Sequence, residues 1–283
     1  MSVRKAIFAG SWYPRNAAEC EKEIENFLED KDIQVPPKRR LVGGIVPHAG
    51  WYFSGSIACN VIYYLGKEEP PDVFIIFGMH LHSGSPCHIM TEGAWETPFG
   101  EIQIEKTLAG ELTARFAFDI ETPQYYSQDN TIELQLPFIK YFFKNVKVVP
   151  IGVPPAKIAI EIGKTIAEIS TRLGLNVKIL GSTDLTHYGF NYDFAPKGTG
   201  PEAANWVRND NDRRIIDTML AMDPEGIITE ALASRNACCS GAAAAAIAGA
   251  KQLGADHADL LVYATSYDKS PGDNMVGYTG IVF

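Results

Sequence analysis

No stretch of this chain is apolar for long enough to cross a bilayer, which takes about 20 residues. The longest apolar run, Gly241–Ala250, is alanine-rich and falls well short. The N-terminus lacks the uninterrupted apolar segment of a secretion signal, so a cytoplasmic protein without a membrane partner is expected. Basic charge is in short supply: 25 Lys and Arg face 34 Asp and Glu, and the net charge of −9 argues against a nucleic-acid partner. The most basic run, Lys38-Arg39-Arg40, precedes a predicted strand and reads as a solvated loop. Cysteine is scarce too. Five in 283 residues (Cys20, Cys59, Cys87, Cys238 and Cys239) do not make a disulfide framework. Pairing Cys238 with its neighbour Cys239 would strain the peptide bond between them, so all five are expected to be reduced. Repeats and low-complexity linkers are also missing, and the length suits one large domain over residues 1–283.

What is present is the composition of a soluble globule, 46% apolar and 21% charged. Strand and helix patterns alternate along it. Leu41–Val46, Val73–Phe77, Lys147–Val153 and Val177–Ser182 are compact apolar runs that read as strands. Leu260–Ser266 and Val276–Phe283 read as terminal strands, able to pair antiparallel at an edge, and Glu101–Ile104 as a hairpin arm. Helical spacing marks Ala17–Leu28, Ser56–Leu65, Lys106–Phe116, Asn130–Lys140, Ala156–Leu173, Asp212–Met222, Pro224–Ala233 and Ser240–Leu253. Asn191–Asn211, rich in Gly, Pro, Asn and Asp, reads as a long surface loop or lid. The alternation predicts an α/β fold with a mostly parallel or mixed central sheet covered by helices on both faces.

Four of the six histidines follow these apolar runs, where loops at the carboxyl ends of strands line the ligand crevice of an open α/β sheet. His48 lies in Pro47-His48-Ala49-Gly50, placed to bind a ligand or to cap the next helix. His80 and His82 would share a face, as two metal ligands, if strand geometry continued past Phe77. His88 reads as structural. Asp184 and His187, three residues apart after the fourth strand, can orient one another as an acid/base pair. The alternative is that Asp184 caps a turn and His187 packs beside Tyr188. Cys238 and Cys239 open the alanine-rich helix, where the dipole favours thiolate, although cysteine there also serves as small core filler.

These blocks resemble the Memo (mediator of cell motility) family over nearly the whole chain. The matching segments are Ala9-Gly10-Ser11-Trp12-Tyr13-Pro14, Pro47-His48-Ala49-Gly50 and Thr97-Pro98-Phe99-Gly100. They continue with Ile132–Phe138, Ser182–Gly189 and Cys239 before the last long helix. The resemblance implies a fold similar to the catalytic subunit of class III extradiol dioxygenases. It also implies a mononuclear metal site formed by His48, a histidine after the second strand (His80 or His82) and Cys239. Fe(II) is the ion expected, with copper or zinc admitted by the softer cysteine ligand, and His187 takes the place of the acid/base histidine. The chain departs from the pattern in two places. Leu81 stands where the second-strand histidine is expected, and Asn130 where a pocket histidine is usual.

Three functions follow: an oxidoreductase-like metal protein, a non-catalytic binder of a small-molecule or peptide ligand, and a metal-dependent hydrolase using Asp184 or His187 as base. Trp12 and Asn130 are candidate ligand contacts, with Trp51 and Tyr52 as further aromatic walls.

Overall fold

Val73–Gly78 and Val177–Ser182 are buried at every position, the pattern of strands covered on both faces. Alternate side chains go to opposite sides: Val73, Ile75 and Phe77 join one hydrophobic cluster, Phe74 and Ile76 the other. The computed structural model describes residues 2–67 and 69–283. Its elements begin with β1 (Val3–Arg4), α1 (Ala17–Leu28), β2 (Gly43–Val46), α2 (Trp51–Gly66), β3 (Val73–Gly78), β4 (His88–Met90), β5 (Ala94–Trp95), β6 (Ile102–Ile104) and α3 (Lys106–Thr113). They continue with β7 (Asp119–Glu121), α4 (Asn130–Glu133), α5 (Leu136–Phe142), β8 (Lys147–Gly152), α6 (Lys157–Arg172), β9 (Val177–Ser182) and β10 (His187–Tyr188). The last are α7 (Pro201–Trp206), α8 (Asp212–Leu220), α9 (Pro224–Ser234), α10 (Ser240–Gln252), β11 (Asp259–Thr265), α11 (Ser266–Lys269) and β12 (Met275–Val282).

The sheet is mixed, in the order β1-β5-β6-β8-β3-β9-β2-β12-β10. Its centre, β8-β3-β9-β2, is parallel, with Ile75 opposite Val149 and Ile179. β12 runs antiparallel to β2 and carries β11 antiparallel on it, as expected of the terminal strands. One face is covered by α1, α2 and α5, the other by α6 and α10 with α3, α8 and α9. This is the expected α/β domain. No helix among the described residues is long and apolar enough to cross a membrane.

Two expectations are corrected. The helix expected over Asn130–Lys140 is two, α4 and α5, separated at Leu134-Gln135, because Pro137 at the start of α5 cannot donate to the preceding turn. The lid expected over Asn191–Asn211 contains α7 and a five-residue π-helical turn, Val207–Asn211, running into α8. Its polar composition hid two small buried anchors, Ala203 and Val207, which pack with Tyr188 and Met275.

Candidate metal centre

β2, β3 and β9 end side by side, so the loops after them meet. Pro47-His48 follows β2, Met79-His80 follows β3, and Thr183-Asp184 follows β9. The turn leading into α10 closes the same space with Cys238 and Cys239. Donor atoms of His48, His80, Cys238 and Cys239 all lie within 4.8 Å of one another. Residues about 190 positions apart therefore converge in one crevice.

Each histidine is oriented from behind. The His48 ring is buried, and its Nδ1 lies 3.0 Å from Ser182 Oγ. Ser182 donates its own hydroxyl proton to the Thr131 carbonyl at 2.7 Å, so it can only accept from His48. Nδ1 of His48 is thus the protonated donor, and Nε2 faces Cys238 Sγ at 3.3 Å. His80 repeats the device: Nδ1 lies 3.4 Å from Asp129, whose carboxylate is held by the Thr131 amide at 2.9 Å and by the Thr131 hydroxyl. Partners of this kind fix ring orientation in metal-binding histidines. The two rings stand edge to face, with centroids 4.9 Å apart.

Met79 adopts φ 72°, in the left-handed region that non-glycine residues rarely enter. Its amide is held by Thr131 Oγ1 at 2.8 Å. This turn ends strand geometry at Gly78, so His80 and His82 do not share a face. His80 enters the crevice, whereas His82 lies on an exposed turn, its amide donating to Ser85 Oγ. At the thiol end the nearer sulfur to His48 belongs to Cys238, not to Cys239, the cysteine implied by the resemblance. Cys239 is buried, its amide donating to Thr183 Oγ1 at 3.1 Å, and its sulfur lies 3.7 Å from that of Cys238. The adjacent thiols were visible in sequence, but which one faced the crevice depended on the turn.

Asp184 is a hub. Oδ1 accepts the His48 amide at 2.7 Å, its carbonyl accepts the Cys238 amide at 3.1 Å, and Oδ2 lies 3.9 Å from Nε2 of both His48 and His187. At that distance Asp184 and His187 are in ion-pair range but not hydrogen-bonded. Nε2 of His187 is buried with no hydrogen-bond partner. The ring lies 5.0 Å from that of Tyr192. Asn130 spends its amide on the His48 carbonyl at 2.8 Å while lining the crevice. Trp12, 39% exposed, stands at the rim, and its carbonyl anchors the first amide of α2. Trp51, expected as a wall, is instead buried in the core, whereas Tyr52 is exposed at the rim.

The electrostatics are those of a thiolate among imidazoles. Burial opposes the ionised form of Cys238, but contact with Cys239 and the nearby His48 and His187 hold its pKa well below the usual thiol value. Burial and the neighbouring Cys238 push Cys239 well above it. Burial also opposes the charged histidines, yet Asp129 and Cys238 raise His80 to about 10, and Asp184 and Cys238 raise His187 to about 10. His48 is raised by Asp184 and Cys238 against the same opposition.

The crevice opens into a cavity of about 650 Å³ lined by His48, His80, Asp184, His187, Trp12 and Tyr278, among others. A second cavity, about 500 Å³, reaches Cys238 from the other side, with His187 and Tyr192 shared as a dividing wall.

A family model described as Memo-like protein matches residues 4–282. A MEMO1 family protein of Pyrococcus furiosus is 35% identical over 290 residues, covering 99% of this chain and 98% of its own. One from Methanosarcina barkeri is 34% identical, with 99% of both chains covered. Among solved structures, an uncharacterized Escherichia coli K12 protein, JW3007, matches with a TM-score of 0.54 at 11% identity. It covers 86% of this chain and all of its own, a likeness of fold alone.

Proposed function

The chain belongs to the Memo-like family, and from that premise we propose that it is a mononuclear, oxidoreductase-like metal protein using His48, His80 and Cys238 as ligands. Cys239 stands within reach as a fourth donor. The observation that carries this reading is the paired orientation of the histidines: Ser182 and Asp129 engage the two Nδ1 atoms, leaving each Nε2 as the available donor. Donors around one tetrahedral ion stand about 3.3–3.8 Å apart. The separations of 3.3 Å from His48 to Cys238 and 3.7 Å between the sulfurs fit that spacing.

Fe(II) or copper held there would supply redox chemistry, whereas zinc would act only as a Lewis acid. The protein's own groups would do the rest. Asp184 sets the His48 and Cys238 backbones, and the His187 imidazole, which lines the larger cavity, is placed to hold or move a proton on a ligand there. Among the described residues that cavity has no Lys or Arg in its lining, and it mixes aromatic with hydroxyl and amide groups, which suits an uncharged organic ligand. A second reading, a binding protein for a small molecule or peptide, is favoured by the exposed aromatic rings of Trp12, Tyr52 and Tyr192 at its rim.

The test is metal analysis after anaerobic purification. About one ion per chain is expected, and His48→Ala and Cys238→Ala should each lower metal content by roughly tenfold or more, because each removes a direct ligand. His82→Ala should leave it unchanged. Metal content indifferent to His48 and Cys238 would overturn the assignment. Dioxygen uptake with a catechol separates the oxidoreductase from the binding protein.

A further inference from the structure

At the opposite end of the sheet the loop before β2 and the end of α2 enclose a third cavity, about 500 Å³ in volume. Leu41, on its wall, precedes β2, whereas His48 follows that strand, so seven residues, roughly 20 Å of extended chain, separate this cavity from the metal centre. Its lining concentrates cations in a protein that is short of them. Lys38, Arg39, Arg40, Lys67 and Lys178 line it, with Glu69 as the one carboxylate in the lining among the described residues. Two of these cations have structural work. Arg39 Nη2 pairs with Asp259 at 2.6 Å, and Lys178 donates to the Leu41 carbonyl at 2.5 Å.

The others pair with no carboxylate among the described residues. Lys38 and Arg40 are exposed and make no ion pair among the described residues. Lys67 Nζ sits 5.6 and 5.5 Å from the rings of Tyr63 and Tyr64. Arg39 contributes a second signal: its Nε is buried and has no hydrogen-bond partner, although the same guanidinium is anchored by Asp259. A buried donor without an acceptor is costly and uncommon, so Asp259 does not engage the whole of the Arg39 guanidinium. The rest of the wall is apolar, with Pro36, Pro37, Leu65 and the ring of Tyr64.

We infer that this cavity is a binding site for a small phosphomonoester whose body is flat or apolar. The phosphoryl group would sit among Lys38, Arg39 and Arg40, and the body would lie against Tyr64 and the prolines. A dianion matches a cluster of uncompensated positive charge, and a guanidinium fork anchored on one side favours phosphate oxygens. The low overall basicity of the chain makes the local field stand out, since a confined cationic cavity concentrates anions around it.

The test is calorimetric titration at low salt with three probes: phenyl phosphate, inorganic phosphate and phenol. Phenyl phosphate should bind saturably, inorganic phosphate more weakly, and phenol least. The exposed double variant Lys38→Gln/Arg40→Gln should weaken phenyl phosphate by roughly tenfold or more, as expected on losing two charge-assisted contacts. Its thermal melting and metal content should stay those of the wild type, which separates this site from the metal centre. Absence of saturable phenyl phosphate binding overturns the inference. So does binding that the double variant leaves intact, or phenyl phosphate no tighter than inorganic phosphate, the result of an adventitious ion only.

Discussion

The two faces of the sheet are packed by opposite means, and the candidate metal centre lies where they meet. On one face α10 lies in backbone contact with its neighbours. A Cβ on Gly163 of α6 would collide with the Ala245 carbonyl, and one on Gly181 of β9 would come within 2.9 Å of the Ala242 carbonyl. On the other face large rings do the filling. Trp51 stacks on Phe138 with centroids 4.1 Å apart, and Phe27 and Tyr13 pack around it. Small residues bring the start of α10, with Cys238, against the β9 loop. The aromatic face instead wedges the start of α2, three residues after His48. The faces are thus sensitive in opposite directions, one to added atoms and the other to removed ones.

The largest expected effect is on the aromatic side. Trp51 is almost wholly buried, and its indole N–H donates to the Leu134 carbonyl at 3.3 Å. Trp51→Ala should lower unfolding free energy by about 3–5 kcal/mol, the range for deleting a buried large aromatic. Chemical denaturation showing a loss below about 1 kcal/mol would break the contrast between the faces.

The next effect belongs to the alanine-rich side, where α8 places a fully buried carboxylate. Asp212 accepts from the Thr186 amide at 3.0 Å, from the Thr186 hydroxyl and from Tyr263 at 2.7 Å. The adjoining Asn211 donates to Thr186 Oγ1, and the Asn236 side chain donates to the Asn211 carbonyl. The π-helical turn thereby ties the segment bearing His187 to the one bearing Cys238. Burial raises the Asp212 carboxyl to about 6 although these hydrogen bonds lower it. A carboxyl whose folded pKa exceeds its unfolded value of about 3.9 stabilises the fold when protonated. Its contribution is present below that pH and lost as pH rises through about 6, by up to about 3 kcal/mol. The stability difference between wild type and Asp212→Asn should therefore shift in favour of the variant between about pH 4 and pH 7. Parallel stability curves for the two proteins would rule this out.

The smallest effect is the addition of one methyl. Gly163→Ala gains up to about 1 kcal/mol of helix propensity. The new Cβ meets backbone that cannot rotate away, so a net loss of roughly 1–2 kcal/mol is expected. Thermal melting at or above the wild-type value would show that α6 and α10 can separate freely.

Much of this architecture was legible along the chain. Strands such as Val73–Gly78 announce themselves because burial on both faces leaves no room for polar residues, and α1 and α6 show one apolar stripe each. The short strands β4, β5 and β7 escaped notice, since two or three residues carry too little periodicity. α7 was hidden among polar residues because its burial depends on two small side chains meeting Tyr188.

The same division governs the site. Histidines and cysteines beyond strand ends and at a helix start were sufficient to mark the crevice, because α/β topology brings those loops together whatever their spacing in the chain. The selection among neighbours was made elsewhere. His80 rather than His82, and Cys238 as the sulfur nearest His48, follow from a single left-handed residue, Met79, and from a turn held by Thr183 and Asp184. One backbone rotation redirects a side chain by several ångströms, and what holds that rotation, chiefly Thr131 and Asp184, lies 52 and 54 residues away along the chain from Met79 and Cys238. Local pattern determined the sheet, its helices and the candidate donors; contacts distant in sequence decided which atoms face the same point.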